Sequence, residues 1–121
     1  MSELLRIQPA RLTLPILRRI ARSPDLPVAL EYGWEKPVEA AAATVADVIA
    51  RGDAAYGINT GFGLLARKRI PNHSLRELQT RLVLSHAAGT GAPLSAATVR
   101  LILVLKAASL ARGHSGVRPI V

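Results

Sequence analysis

The segment Tyr56-Gly57-Ile58-Asn59-Thr60-Gly61-Phe62-Gly63 sets a phenol among glycines, an amide and a hydroxyl. A phenol loses its proton near pH 10, so for Tyr56 to act as a base near neutral pH something must favour its anion: a nearby cation, a helix amino terminus or hydrogen-bond donors. Residue type alone leaves a second role open, a half-buried tyrosine that packs the loop down. The other group with chemistry is His86, preceded by Ser85 and followed by the small residues Ala87 and Ala88. An imidazole near a helix end either packs and hydrogen-bonds locally or projects into a cavity as a polar contact.

Other chemistries find less support. His73 and His114 are the remaining histidines, and no pair stands at the i, i+4 spacing of a helical metal site. There is no Gly-x-Ser-x-Gly elbow and no phosphate-binding loop with its lysine; Gly61-Phe62-Gly63 lacks the third glycine of a dinucleotide loop. Without cysteines the chain has neither disulfides nor thiolate ligands, which suits a reducing compartment such as the cytoplasm. Sixteen basic residues against eight acidic ones give a formal charge of +8. The cations Arg6, Arg11, Arg18, Arg19, Arg22, Arg67, Lys68, Arg69 and Arg112 are scattered and do not alternate with aromatic rings. They describe a solvated surface better than a nucleic-acid interface.

These side chains need elements to hold them. The apolar half of the composition comes from Leu, Ala, Val and Ile, with Tyr32, Trp34, Tyr56 and Phe62 as the aromatics. That palette favours packed helices over a β-sandwich, in a length that fits one domain. Residues 1–54 read as a strand-and-helix lead-in. Leu4 to Ile7 suits a short strand, and Thr13 can cap a helix with Pro15 in its first turn. Ser23-Pro24-Asp25-Leu26-Pro27 breaks that helix, Val28-Ala29-Leu30 suits a second strand, and Tyr32-Gly33 a turn. Pro37 suits the opening of a helix with Val38, Ala42, Val45 and Ile49 on one face, ended by Gly52. Residues 55–63 form a loop.

Residues 74–89 read as a helix begun by a Ser74-x-x-Glu77 capping box, reaching about His86 and stopped by Gly89-Thr90-Gly91-Ala92-Pro93. Residues 95–112 read as a last helix capped by Ser95. Its Leu101-Ile102-Leu103-Val104-Leu105 run leaves no wet face, so it is expected to be buried core, needing neighbours from self-association or from helices of a longer polypeptide. Arg100 and Lys106 interrupt the stretch, which is shorter than the roughly 20 residues that cross a bilayer. The amino terminus has no basic region followed by an apolar run, so no secretory signal is expected.

Three blocks in order closely resemble consecutive segments of the aromatic amino acid ammonia-lyases: Tyr56 to Gly63, Leu82-Val83-Leu84-Ser85-His86-Ala87-Ala88-Gly89, and Ser109-Leu110-Ala111-Arg112-Gly113-His114-Ser115-Gly116-Val117-Arg118. The likeness is strong from about Ala55 to Arg118, and before Arg51 it lies in the general layout of strands and helices. It implies a mainly α fold with short amino-terminal β-strands, the incomplete amino-terminal region of the lyase fold. It implies that Tyr56 removes the β-proton of the substrate, while Asn59, Gly61 and Gly63 shape the loop. The family's ring-recognition position is a residue pair that here reads Ser85-His86, the combination of histidine-specific members. A polar pair suits an imidazole, whose nitrogens would lack partners against leucine.

The resemblance further implies elimination of ammonia from L-histidine to urocanate by a cytoplasmic homotetramer. Its electrophile is 4-methylidene-imidazole-5-one, formed from an internal Ala-Ser-Gly. No Ala-Ser-Gly occurs in this sequence. The family places that triad a little beyond the position of Val121, so the isolated chain is expected to be inactive. An aromatic residue usual in the family is replaced by His114. A related lyase, an aminomutase, or a non-catalytic module that associates with a lyase are the alternative readings; neither a nucleic acid nor a membrane is an expected partner.

Overall fold

The computed structural model of the chain describes residues 3–121. In order come β1 (Leu5–Ile7), α1 (Leu14–Arg22), β2 (Val28–Leu30), α2 (Glu35–Arg51), two 3-10 turns (Gly63–Leu65 and Asn72–Ser74), α3 (Leu75–His86) and α4 (Ala96–Leu110). Contacts divide the chain into two compact units, one of residues up to Ala43 together with Pro93–Val121, the other Thr44–Ala92. The mainly helical architecture with two short amino-terminal strands is the one the sequence implies.

In the first unit β1 and β2 pair in parallel, Leu5 opposite Val28 and Ile7 opposite Leu30. Parallel neighbours require a crossover, and α1 supplies it. Ile7, Ile20 and Ala108 are buried together, with Leu12, Ile16, Leu101 and Val104 packed around them. Thr13 takes the extended N-cap position with proline in the first turn, yet its hydroxyl makes no capping bond, contrary to expectation. Ser95 does cap α4, accepting from the Thr98 amide at 3.2 Å. Arg100 fastens α4 to the 23–27 turn, donating to the carbonyls of Pro24, at 2.7 Å, and Leu26.

Two expectations about helices need correction. α2 begins at Glu35, two residues before Pro37, because a proline is tolerated throughout the first turn, where the amides have no intrahelical partner. The predicted face holds: Val38 is buried and Ala42, Val45 and Ile49 are half-buried. Gly52 ends α2 at φ +77°, its amide donating to Val48 and Ile49. The capping box at α3 does not form. The preceding 3-10 turn holds Ser74 at φ −98°, ψ −4°, a helical conformation from which its hydroxyl makes no cap bond. Glu77 instead pairs with Arg81 one turn on, at 2.6 Å.

α4 is apolar all round, as expected, and this chain covers only part of it among the described residues. Ala108 is buried and Leu101 and Val104 half-buried, whereas Ile102 is 50% and Leu103 64% exposed. Among the described residues only one side of α4 finds partners in this unit. Among the described residues no helix is long and apolar enough to cross a membrane.

Candidate functional site

Every sequence-predicted site residue falls in the unit Thr44–Ala92. The loop after α2 is organised around Asn59, whose side chain is fully buried. Its Oδ1 accepts from the Ala55 amide and its Nδ2 donates to the Asp53 carbonyl, both at 2.8 Å. A buried amide costs free energy unless its donor and acceptor are both satisfied, and these two bonds satisfy one of each while closing the loop on itself. Asp53 is in turn held by Arg51, whose Nε donates to Oδ2 at 2.9 Å. That hydrogen bond, then the carboxylate charge, raises the Arg51 guanidinium pKa above its ordinary value.

The return path of the loop is stitched by backbone. Ile70 N donates to Asn59 O at 2.8 Å and Gly61 N to Lys68 O at 2.9 Å, around an antiparallel bridge between Thr60 and Arg69. Thr60, also buried, donates its hydroxyl to the Gly61 carbonyl at 3.0 Å. Gly61 has no room for a side chain: a Cβ there would lie 2.6 Å from Leu65 Cβ and 2.7 Å from the Leu65 carbonyl oxygen. Gly63 has open space but stands at φ +57°, the left-handed region that glycine enters without steric penalty.

On this closed loop Tyr56 is 67% exposed. Its ring meets Phe62 edge to face, with centroids 5.9 Å apart and planes at 70°, a favourable aromatic geometry. Among the described residues its hydroxyl has no hydrogen-bond partner, so the ring is braced and the phenol oxygen is available.

Ser85 and His86 close α3 and are both exposed. Ser85 donates its hydroxyl to the Leu82 carbonyl at 2.8 Å. His86 Nδ1 lies 2.8 Å from the same carbonyl and 3.0 Å from Ser85 Oγ. The structure thus brings Tyr56, Asn59, Gly61 and Gly63 into one stitched loop and Ser85 with His86 into one helix end of the same unit. Among the described residues no hydrogen bond joins the two groups. His73 lies exposed in the turn before α3, His114 is exposed in the other unit, and no cluster of histidines and carboxylates could hold a metal among the described residues.

Three participants escape sequence reasoning. Phe62 braces Tyr56, Asp53 receives Asn59 through its backbone, and Leu82 orients the Ser85–His86 pair through its carbonyl. Helical spacing offers a signal only for Leu82, three and four residues before the pair.

A family model described as aromatic amino acid lyase matches residues 12–121. Histidine ammonia-lyase of Burkholderia mallei (strain NCTC 10229) is 51% identical over 115 residues, which is 95% of this chain and 22% of the relative. Histidine ammonia-lyase of Burkholderia cenocepacia (strain HI2424) is 53% identical over 112 residues, again 22% of its length. This chain therefore spans about a fifth of those relatives. Among solved structures, histidine ammonia-lyase from Trypanosoma cruzi superposes with a TM-score of 0.84 at 30% identity, over 98% of this chain and 22% of that one. Tyrosine aminomutase from Streptomyces globisporus superposes with a TM-score of 0.87 at 28% identity over the same shares.

Proposed function

The chain belongs to the aromatic amino acid lyase family, and on that footing we propose that it is the amino-terminal part of a histidine ammonia-lyase, an enzyme that eliminates ammonia from L-histidine to give urocanate. Tyr56 is the base that takes the β-proton. Ser85 and His86 form the polar contact for the substrate's imidazole. The carrying observation is the Asn59-centred loop, which braces the Tyr56 ring against Phe62 and leaves its hydroxyl unbonded and exposed. A base must be held in place with its oxygen available to the substrate, and these contacts supply both conditions. The Ser85-His86 pair and the identity to histidine ammonia-lyases support histidine over phenylalanine or tyrosine.

The activity of the family depends on an electrophile that draws electrons from the substrate, 4-methylidene-imidazole-5-one, formed from Ala-Ser-Gly. With no such triad in the sequence, these residues cannot make it or hold it covalently, and no step through it is assigned to them. Tyr56 and the Ser85–His86 pair are one wall of a site whose other walls come from further polypeptide. The exposed apolar side of α4 accords with burial against such helices in a cytoplasmic homotetramer.

Urocanate absorbance after addition of L-histidine tests the reading. The 121-residue chain alone should give no turnover, and a polypeptide joining this segment to the Ala-Ser-Gly-bearing remainder of a lyase should deaminate histidine. Turnover by the short chain, or none by the joined one, would contradict it. The structural likeness to a tyrosine aminomutase favours one second reading, migration of the amino group in place of its release. A β-amino acid product in place of urocanate would identify it.

A further inference from the structure

We propose that Leu82 and Ser85 hold His86 as its Nδ1–H tautomer, so that it meets a substrate ring through Nε2 as a hydrogen-bond acceptor, with Ser85 as the positioning residue. The inference rests on the reading that His86 touches the substrate, and deepens it by assigning the polarity of that contact. The Leu82 carbonyl oxygen can only accept, and it lies 2.8 Å from His86 Nδ1. A bare Nδ1 lone pair at that distance would face an oxygen lone pair, so the proton belongs on Nδ1. The Ser85 hydroxyl has its own proton committed to the same carbonyl. Its oxygen, 3.0 Å from Nδ1, is thereby free to accept a share of the Nδ1–H. The Leu82 carbonyl demands a donor at Nδ1 and the Ser85 oxygen can share it, and a neutral imidazole with its proton there carries a lone pair on Nε2.

An acceptor at Nε2 selects rings that bring a hydrogen-bond donor over wholly apolar rings. An imidazole satisfies it, whereas a phenyl or thienyl ring would leave it buried and unpaired beneath the substrate. The hydroxyl of Ser85 thus also serves substrate choice through His86, by fixing which edge of that ring is the acceptor.

The test is the 15N spectrum of the uniformly labelled 121-residue chain with its rings neutral, the His86 signals being identified by their loss in His86→Gln. The expected pattern is a protonated, pyrrole-type Nδ1 and a pyridine-type Nε2, the reverse of the tautomer that histidine side chains favour in water. Ser85→Ala should shift His86 toward the Nε2–H form, and Ser85→Thr, which keeps the hydroxyl, should restore the original ratio, with helix content by circular dichroism unchanged in both. A dominant Nε2–H form in the unsubstituted chain would overturn the proposal, and an unchanged ratio in Ser85→Ala would overturn the role of Ser85. Either result leaves the histidine-lyase reading standing, since urocanate formation is measured separately.

Discussion

At the scale of single residues, Tyr56 is the group proposed for the chemistry and Asn59 the one that holds the loop. Tyr56 has its ring held by Phe62 and, among the described residues, its hydroxyl unbonded, so Tyr56→Phe removes only the group proposed to take the proton. In a complete lyase carrying this segment the substitution should lower kcat for urocanate formation by about 10²–10⁴-fold, with an unchanged melting temperature. Asn59 should behave in the opposite way. Asn59→Ala removes the 2.8 Å partners of the Ala55 amide and the Asp53 carbonyl, at a cost of about 1 kcal/mol for each hydrogen bond. Denaturant unfolding of the chain should show the loss, and hydrogen exchange should quicken first at the Ile70 amide, which donates to the Asn59 carbonyl. Tyr56 and His86 were legible as candidates from their sequence blocks. The unbonded hydroxyl of one and the doubly constrained nitrogen of the other were not, because Phe62, Asp53 and the Leu82 carbonyl act through geometry that residue types do not encode.

At the scale of elements, Ser74 and Ser95 show why one motif succeeds and its twin fails. Both serines precede a helix. Ser95 sits in extended backbone at φ −61°, ψ 149° and reaches the Thr98 amide, while Ser74 is already helical because a 3-10 turn runs into α3. An N-cap side chain bonds forward only from the extended conformation. Ser95→Ala should therefore cost about 1 kcal/mol, and Ser74→Ala should stay within about 0.5 kcal/mol of the parent, both read from chemical denaturation followed by circular dichroism. Equal losses would mean that Ser74 caps α3 in solution. The extents of β1, α1, β2 and α3 follow closely from breakers and periodicity. Whether a capping hydroxyl is used depends on backbone angles that the preceding turn imposes.

At the scale of the whole molecule, α4 has one covered and one exposed apolar side among the described residues. One side packs on Ile20 and Ile7 through Leu101, Val104 and Ala108, and Arg100 binds the 23–27 turn. Ile102, Leu103 and Leu105 remain in water. Such an apolar row favours association in the absence of other partners. The isolated chain should increase in mean mass with concentration by light scattering, and Ile102→Lys combined with Leu103→Lys should suppress that growth without loss of helix content, since neither side chain belongs to the buried cluster. A monodisperse monomer at every concentration would show that the row tolerates solvent.

The sequence by itself determined the helical class, the two short strands, the glycine-rich loop and the three ordered blocks that mark the family, because each is written in local periodicity, turn chemistry or residue identity. Tertiary structure alone decided that Asn59 closes the loop, that Gly61 must stay small beneath Leu65, that α4 finds cover on only one side, and that Tyr56 keeps a free hydroxyl. Each of these depends on which backbone atoms come within about 3 Å or which faces meet, and distance in space is not a property of spacing along the chain. Tyr56 is thus singled out by its neighbours in sequence, and its placement is set by Phe62 against its ring and Asn59 within its loop.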